Sequence, residues 1–290
     1  MFRISTEIRS SSKIVGEERA VELLAQAGFD AWDFSMFDTM CVYDWANNKL
    51  LSNDHPLGGN DYLNFARRLR KIGEDNGIVC NQSHAPYPSK CKEVRSYYKR
   101  ALECSAEAGA EICVIHPDND SSPQENAEMY LEILPYAKEC GVKIATENMW
   151  NWDDKTQYAL FAACANPESF VQHLDAVNDD YFVACLDIGH AEMQGLGTDS
   201  EAMIRALGKK LQAIHLHDND KRNDFHAIPF SGDIDFDVVV KALKENGYKG
   251  DFTLEADSFL LNYTEDNIMD GMKKLVEAAS KIRKKFFTID

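Results

Sequence analysis

AEMYLEILPYAKECGVKIATEN, residues 127–148, reads as a helix, a stop and a strand in succession. Apolar residues recur at helical spacing from Ala127 to Cys140, and Gly141 supplies the left-handed residue that ends a helix. VKIAT then runs as a short apolar strand that finishes at Glu147. The same unit recurs on both sides. Helical stretches from Glu17 to Ala27, Lys92 to Ala108 and Phe236 to Asn246 close at Gly28, Gly109 and Gly247. Short apolar runs start near residues 2, 30, 78, 111, 142, 182, 211 and 251, each followed by helical periodicity. These runs are nearly continuous in apolar character, as strands become when helices cover a parallel sheet. Eight β-then-α units in series predict an α/β protein, a single (β/α)8 barrel spanning residues 1–290. An open doubly wound sheet is the other arrangement of such units, but no GxGxxG follows the first strand and there is no P-loop.

Composition narrows the function. The chain has 290 residues, 44% apolar and 27% charged, as a globular protein does. Its 31 Lys and Arg against 48 Asp and Glu leave a formal charge of −17, which argues against nucleic acid or an anionic membrane as a partner. The cluster of Lys281, Arg283, Lys284 and Lys285 reads as the cationic last turn of a helix. No apolar run approaches the ~18 residues of a membrane span. MFRISTEIRS at the start alternates and lacks the apolar centre of a secretory signal. Eight cysteines without a CxxC pair read as free thiols, and a cytoplasmic location is expected. Ser35 to Asn60, with Trp45, His55 and Gly58-Gly59, reads as a long irregular loop, suited to a lid or to a contact in a homo-oligomer.

In a barrel, the C-terminal ends of the strands converge on one mouth. The apolar runs end at His84 (SHAPYP), His116 (VIHPD), Glu147 (ATEN), Asp187 with His190 (LDIGH), His215 with His217 (IHLHD), and Glu255 (LEAD). Asp224 and His226 (DFH) follow in the next loop, whereas His55 lies in the long loop and His173 is remote. A lone histidine or carboxylate at a strand end is ordinarily structural. Here, however, Glu147, Asp187 and Glu255 have almost no Arg or Lys among the strand ends to offset them, and carboxylates gathered in a low-dielectric cup repel. A divalent cation is the economical counter-charge.

The pattern HAP…HP…EN…DxGH…HxxD…DxH…E covers nearly the whole chain and resembles the xylose isomerase-like TIM-barrel superfamily. That superfamily includes sugar and sugar-phosphate isomerases and epimerases, inosose dehydratases and the endonuclease IV group. The resemblance to the ketose 3-epimerases implies one ion, Zn²⁺, Mn²⁺, Co²⁺ or Mg²⁺, held by Glu147, Asp187, His215 and Glu255. It implies Lewis-acid stabilisation of an enediolate, with Glu147 and Glu255 as base and conjugate acid on opposite sides of the sugar. The HxxD spacing to Asp218 selects His215 over His217 as the ligand. His190 matches the family's substrate-contacting histidine, and Lys221 or Arg222 would take the place of a basic substrate contact that is usually Arg. Trp150 and Trp152 follow Glu147 directly and suit either stacking on a sugar or loop packing.

The same resemblance implies a second function class. His84, His116, Glu147, Asp187, His190, His215, Asp224, His226 and Glu255 also match the residue types of the three-zinc endonuclease IV site. The acidic charge and the loop DFHAIPFSGDIDF, residues 224–236, favour the sugar-handling branch. On that reading His84, His116, His190, Asp224 and His226 serve sugar hydroxyls around a single metal. A dehydratase-type lyase is the nearest alternative chemistry, and a sugar-binding barrel without catalysis would lack one of the ligands.

Overall fold

The computed structural model describes residues 2–289. Eight strands form one sheet: β1 (Ile4–Thr6), β2 (Ala31–Ser35), β3 (Val79–His84), β4 (Ile112–Val114), β5 (Lys143–Glu147), β6 (Phe182–Asp187), β7 (Leu211–Leu216) and β8 (Phe252–Leu254). Neighbours in the chain are neighbours in the sheet, β8 pairs with β1, and every pairing is parallel. The circle closes between β1 and β2 through one bridge, Glu7 to Asp33, where the Ile8 N–H donates to the Asp33 carbonyl at 3.1 Å. The fold is a (β/α)8 barrel.

The covering helices are α1 (Glu17–Ala27), α2 (Tyr62–Asp75), α3 (Tyr98–Ala108), α4 (Pro123–Cys140), α5 (Pro167–Val177), α6 (Ser200–Leu207), α7 (Phe236–Glu245) and α8 (Ile268–Thr288). Their boundaries follow local chemistry. Gly28, Gly109 and Gly141 take left-handed backbone after α1, α3 and α4, as their positions in the sequence suggest. α4 starts four residues earlier than its apolar rhythm, because Ser122 and Glu125 form a capping box around Pro123. The expected helix from Lys92 to Ala108 is two pieces, Lys92–Arg95 and α3, broken at Ser96 and Tyr97. Ser35 to Asn60 is more ordered than its sequence suggests. It holds the short helix Phe37–Met40, a hairpin of Val42–Asp44 with Lys49–Leu51, and the turn Pro56–Gly58.

Apolar packing falls into an outer and an inner part. Ile144, Leu186 and Ile214 belong to the large cluster between sheet and helices, while Ala145, Val183, Cys185 and Ala213 form a small one inside the barrel. Beside that inner cluster lies a polar layer. Ser5 donates to Asn81 (2.7 Å), Asn81 to Thr253 (3.0 Å), and Gln82 to Asp33 (2.8 Å), all buried. Buried polar groups persist only when paired, and this layer carries the side chains of the mouth. All eight cysteines are free thiols, and among the described residues no helix is long and apolar enough to cross a membrane.

Candidate metal centre

β5, β6, β7 and β8 deliver Glu147, Asp187, His215 and Glu255 to one point, with one potential ligand atom from each lying within 4.8 Å of the others. All four are buried, Glu255 the most exposed at 8%. His215 Nδ1 stands between two carboxylates, 3.1 Å from Glu147 Oε1 and 3.0 Å from Glu255 Oε2. Its Nε2 faces the other way, 2.9 Å from the Gln82 amide nitrogen and 3.4 Å from Cys185 Sγ. Asp187 Oδ1 caps the short helix Ile188–Ala191 by accepting the His190 N–H at 2.7 Å. Its Oδ2 is buried without a hydrogen-bond partner. An unpaired carboxylate oxygen in a dry interior is costly, and an oxygen, oxygen, nitrogen and oxygen donor set around it fits a divalent cation. Asn148 fixes the two strand tips together, donating to the Asp187 carbonyl (2.9 Å) and accepting the Asp187 N–H (2.8 Å).

The charges are strongly coupled. Burial would raise the Glu147 carboxyl, but His215 and His116 outweigh it and hold the group well below the usual range. Asp187 is likewise held at about 2, burial being outweighed by His190 and His217. His190 is raised to about 10, because Asp187 and Asp224 overcome the opposite effect of burial. Glu147, Asp187 and His190 are thus all held toward their charged forms.

Two further clusters flank the centre. His84, His116 and Glu147 converge on one side, with His116 Nε2 3.1 Å from Glu147 Oε2. His84 is oriented by Asp33, whose Oδ1 lies 3.1 Å from its Nδ1, and its Nε2 is buried and unpaired. On the other side stand His190, His217, Asp224 and His226. His190 donates from Nδ1 to the Asn148 carbonyl (2.9 Å), and His226 from Nδ1 to the Glu255 carbonyl (2.8 Å). Both therefore turn Nε2 to the same oxygen, Asp224 Oδ2, at 3.1 and 3.0 Å. His217 Nε2 lies 3.0 Å from Asp187 Oδ1 and 3.6 Å from Asp224 Oδ1, so it bridges the centre and the third cluster. Asp218 is structural: its carboxylate accepts the N–H groups of Asn219, Gly232 and Ile234.

Of the remaining sequence-derived candidates, Trp152, Lys221 and Arg222 lie away from these clusters and Trp150 stands behind the third. Trp150 packs with Trp152 onto Ala159, Ala165, Met193 and Leu196, and its indole N–H donates to Asp224 Oδ2 at 3.3 Å. Lys221 is paired with Glu192 (2.9 Å), and Arg222 lies over the Tyr158 ring. None of these four lines the mouth, a cavity of about 380 Å³. The lysine and arginine in its wall are Lys13 and Arg9, on the segment after β1, and its aromatic wall is Phe37 with Tyr87. Arg9, Lys13 and Phe37 did not stand out in the sequence, because no metal motif marks the segments after β1 and β2, and Tyr87 reads as an ordinary loop aromatic after His84. Asp33 was hidden for another reason, being enclosed in the apolar run DAWDFS.

The comparisons agree with this architecture. Residues 21–285 match the xylose isomerase-like TIM barrel family. An uncharacterised protein of Methanocaldococcus jannaschii is 26% identical over 272 residues, covering 88% of this chain and 80% of that one. Among solved structures, a D-tagatose 3-epimerase-like protein superimposes with a TM-score of 0.69 at 20% identity, covering 98% of this chain and 99% of that one. IOLI protein with a binding zinc atom superimposes with a TM-score of 0.72 at 17% identity, over 99% and 100% of the two chains. The chain belongs to the xylose isomerase-like TIM barrel family.

Proposed function

We propose that this protein is a divalent-metal-dependent isomerase or epimerase of a sugar or sugar phosphate. The observation that carries the reading is the placement of Glu147 and Glu255 on one imidazole nitrogen of His215, with Asp187 beside them. It is supported by the likeness to a D-tagatose 3-epimerase-like protein and to IOLI protein with a binding zinc atom. Zn²⁺, Mn²⁺, Co²⁺ or Mg²⁺ bound by Glu147, Asp187, His215 and Glu255 would polarise a carbonyl and offset negative charge on neighbouring oxygens.

The chain's own groups do the rest. Glu147 and Glu255 approach from β5 and from the end of β8, so one takes a proton from the carbon beside the carbonyl and the other returns it. His84, held by Asp33, and His116 offer ring nitrogens without hydrogen-bond partners to sugar hydroxyls. From the opposite side Asp224 offers its Oδ1, which has no hydrogen-bond partner, while His190 holds its Oδ2. Phe37 and Tyr87 present apolar faces that shield the reacting carbons from water. A lyase of the inosose dehydratase type would begin with the same proton removal and differ in losing water.

The test begins with metal analysis and continues with a ¹H-NMR screen for deuterium exchange in D₂O over ketoses, ketose phosphates, inososes and hydroxypyruvate. Exchange at a carbon next to a carbonyl supports the reading, and its absence across the panel in metal-replete protein removes it. A second reading, an endonuclease IV-like three-zinc site, draws support from the His190, His217, Asp224 and His226 cluster. Against it, only Arg9 and Lys13 among the mouth-lining residues are lysine or arginine, few for a phosphate backbone. Three zinc ions per chain with cleavage at abasic sites would favour that reading, and a single ion with carbon-bound exchange would exclude it.

A further inference from the structure

Beside the mouth lies a second cavity, of about 330 Å³, between the segment after β1 and the end of β2. Arg9, Lys13 and Phe37 line both spaces, so the two share a wall, and the Arg9 guanidinium sits 5.2 Å above the centre of the Phe37 ring. Three hydroxyl-bearing residues, Ser12, Ser35 and Thr39, also line the side cavity. Each oxygen is buried without a hydrogen-bond partner, and Ser35 is only 4% exposed. Three unpaired hydroxyls along one small cavity are unusual, since buried polar groups are nearly always satisfied. Rotation about a single bond turns a serine or threonine hydroxyl to a new acceptor or donor.

The charges of the lining cancel. Asp38 accepts from Arg9 at 2.8 Å and lies 3.1 Å from the Lys13 ammonium, and Glu17 holds His55 at 3.0 Å. Two carboxylates thus face two side-chain cations, which leaves little net attraction for an anion. His55 has no free nitrogen: Nδ1 accepts the Leu57 N–H at 3.2 Å, and Nε2 is on Glu17. A serine–histidine nucleophile is therefore excluded. Hydroxyls, opposed charged pairs and one aromatic face are the lining that a neutral, many-hydroxyl ligand needs.

We infer that this cavity is a subsite for a neutral sugar unit attached to the far end of the substrate. In the terms of the proposed function, on which this rests, the substrate is a glycosylated ketose or keto sugar rather than a free one or its phosphate. The reacting carbons would occupy the mouth, and the second sugar would pass the Arg9–Phe37 wall to meet Ser12, Ser35 and Thr39.

The direct probe is methyl α-D-glucopyranoside, which has no ketone and cannot be turned over. The His55 ring signals, read by ¹H–¹⁵N NMR on the intact protein, should move with millimolar glucoside and not with inorganic phosphate. In Ser35→Ala with Thr39→Val, binding should weaken about tenfold, the loss expected for one to two hydrogen bonds. The melting temperature should not fall, because the hydroxyls removed are unpaired in the free protein. Phosphate moving the signals instead, or neither probe moving them, overturns the assignment. The second measurement compares D-fructose, fructose 6-phosphate and isomaltulose, which carry nothing, a phosphate or a neutral glucose on the same carbon of one ketose. A KM about tenfold lower for isomaltulose, lost in the double variant, supports the subsite. Equal KM values overturn it while leaving the isomerase reading intact. Glucoside binding with no exchange in any ketose overturns the isomerase reading and leaves a sugar-binding cavity.

Discussion

The ring of His217 fills the space that a side chain on Gly189 would need: a Cβ there would lie 1.9 Å from His217 Cε1. The contact has consequences for the centre, because Gly189 sits between Asp187 and His190, and His217 holds Asp187 Oδ1. Gly189→Ala should therefore push His217 off Asp187 and destabilise the protein by about 1–3 kcal/mol, the usual cost of overpacking. Melting temperature and metal content should fall together. Adding His217→Ala should restore part of both, so the double variant loses less than the sum of the two single ones.

Replacing Glu147 or Glu255 by Gln keeps an oxygen of similar shape but removes the proton acceptor. Either change should slow carbon-bound deuterium exchange about 10²–10⁴-fold with metal still measured in the site. Asp187→Asn should act mainly on metal affinity and recover activity in excess metal. Near-full exchange by metal-loaded Glu255→Gln would show the two-glutamate assignment to be wrong.

Chelated protein should have a defined pH window of stability. Asp187, held at about 2, contributes stability that is present above its unfolded value of about 4 and lost as pH falls through 2. His190, raised to about 10, contributes stability in full below about 6.5, and this is lost as pH rises through 10. Thermal scans should give a plateau between about pH 4 and 6.5 with decline on both sides. A cation needs deprotonated ligands, and Cys185, Glu147 and Glu255 outweigh burial to raise His215 well above its usual value of about 6.5, so the melting-temperature gain on adding metal should grow as pH rises above that value.

Lys221→Ala and Arg222→Ala should each change KM by no more than about twofold, since both side chains are engaged away from the mouth. A large rise in KM for phosphorylated substrates in either variant would show that the β7 loop moves to meet them.

The barrel and the meeting of Glu147, Asp187, His215 and Glu255 were legible because each rests on a strong local signal. Glycine after a periodic helix and a carboxylate or histidine after an apolar run survive any tertiary context, and the mouth gathers strand ends whatever the loops do. The remainder depends on where side chains turn. Trp150 and Trp152 follow Glu147 in sequence, yet the hairpin of Trp150–Asp153 with Tyr158–Phe161 lays them on Met193 and Leu196. Arg9 and Lys13 look like ordinary surface cations of a short helix until the fold sets them beside Phe37. Asp33 reads as an interruption of a strand, and only the register of β2 against β3, which pairs Asp33 with Gln82, reveals it as the support of His84.

Asp33 also occupies the seam of the barrel. Its backbone carries the single bridge that joins β2 to β1, and its carboxylate steadies His84 and Gln82. The thinnest joint of the sheet and a bracket of the mouth are thus one residue. Opening of the wall at that joint would free the Ile8 amide and shift the support of the His84 imidazole together. Loss of a well-aligned His84 is then a symptom of loosening, and slow amide exchange at Ile8 serves as a gauge of how well the mouth is set.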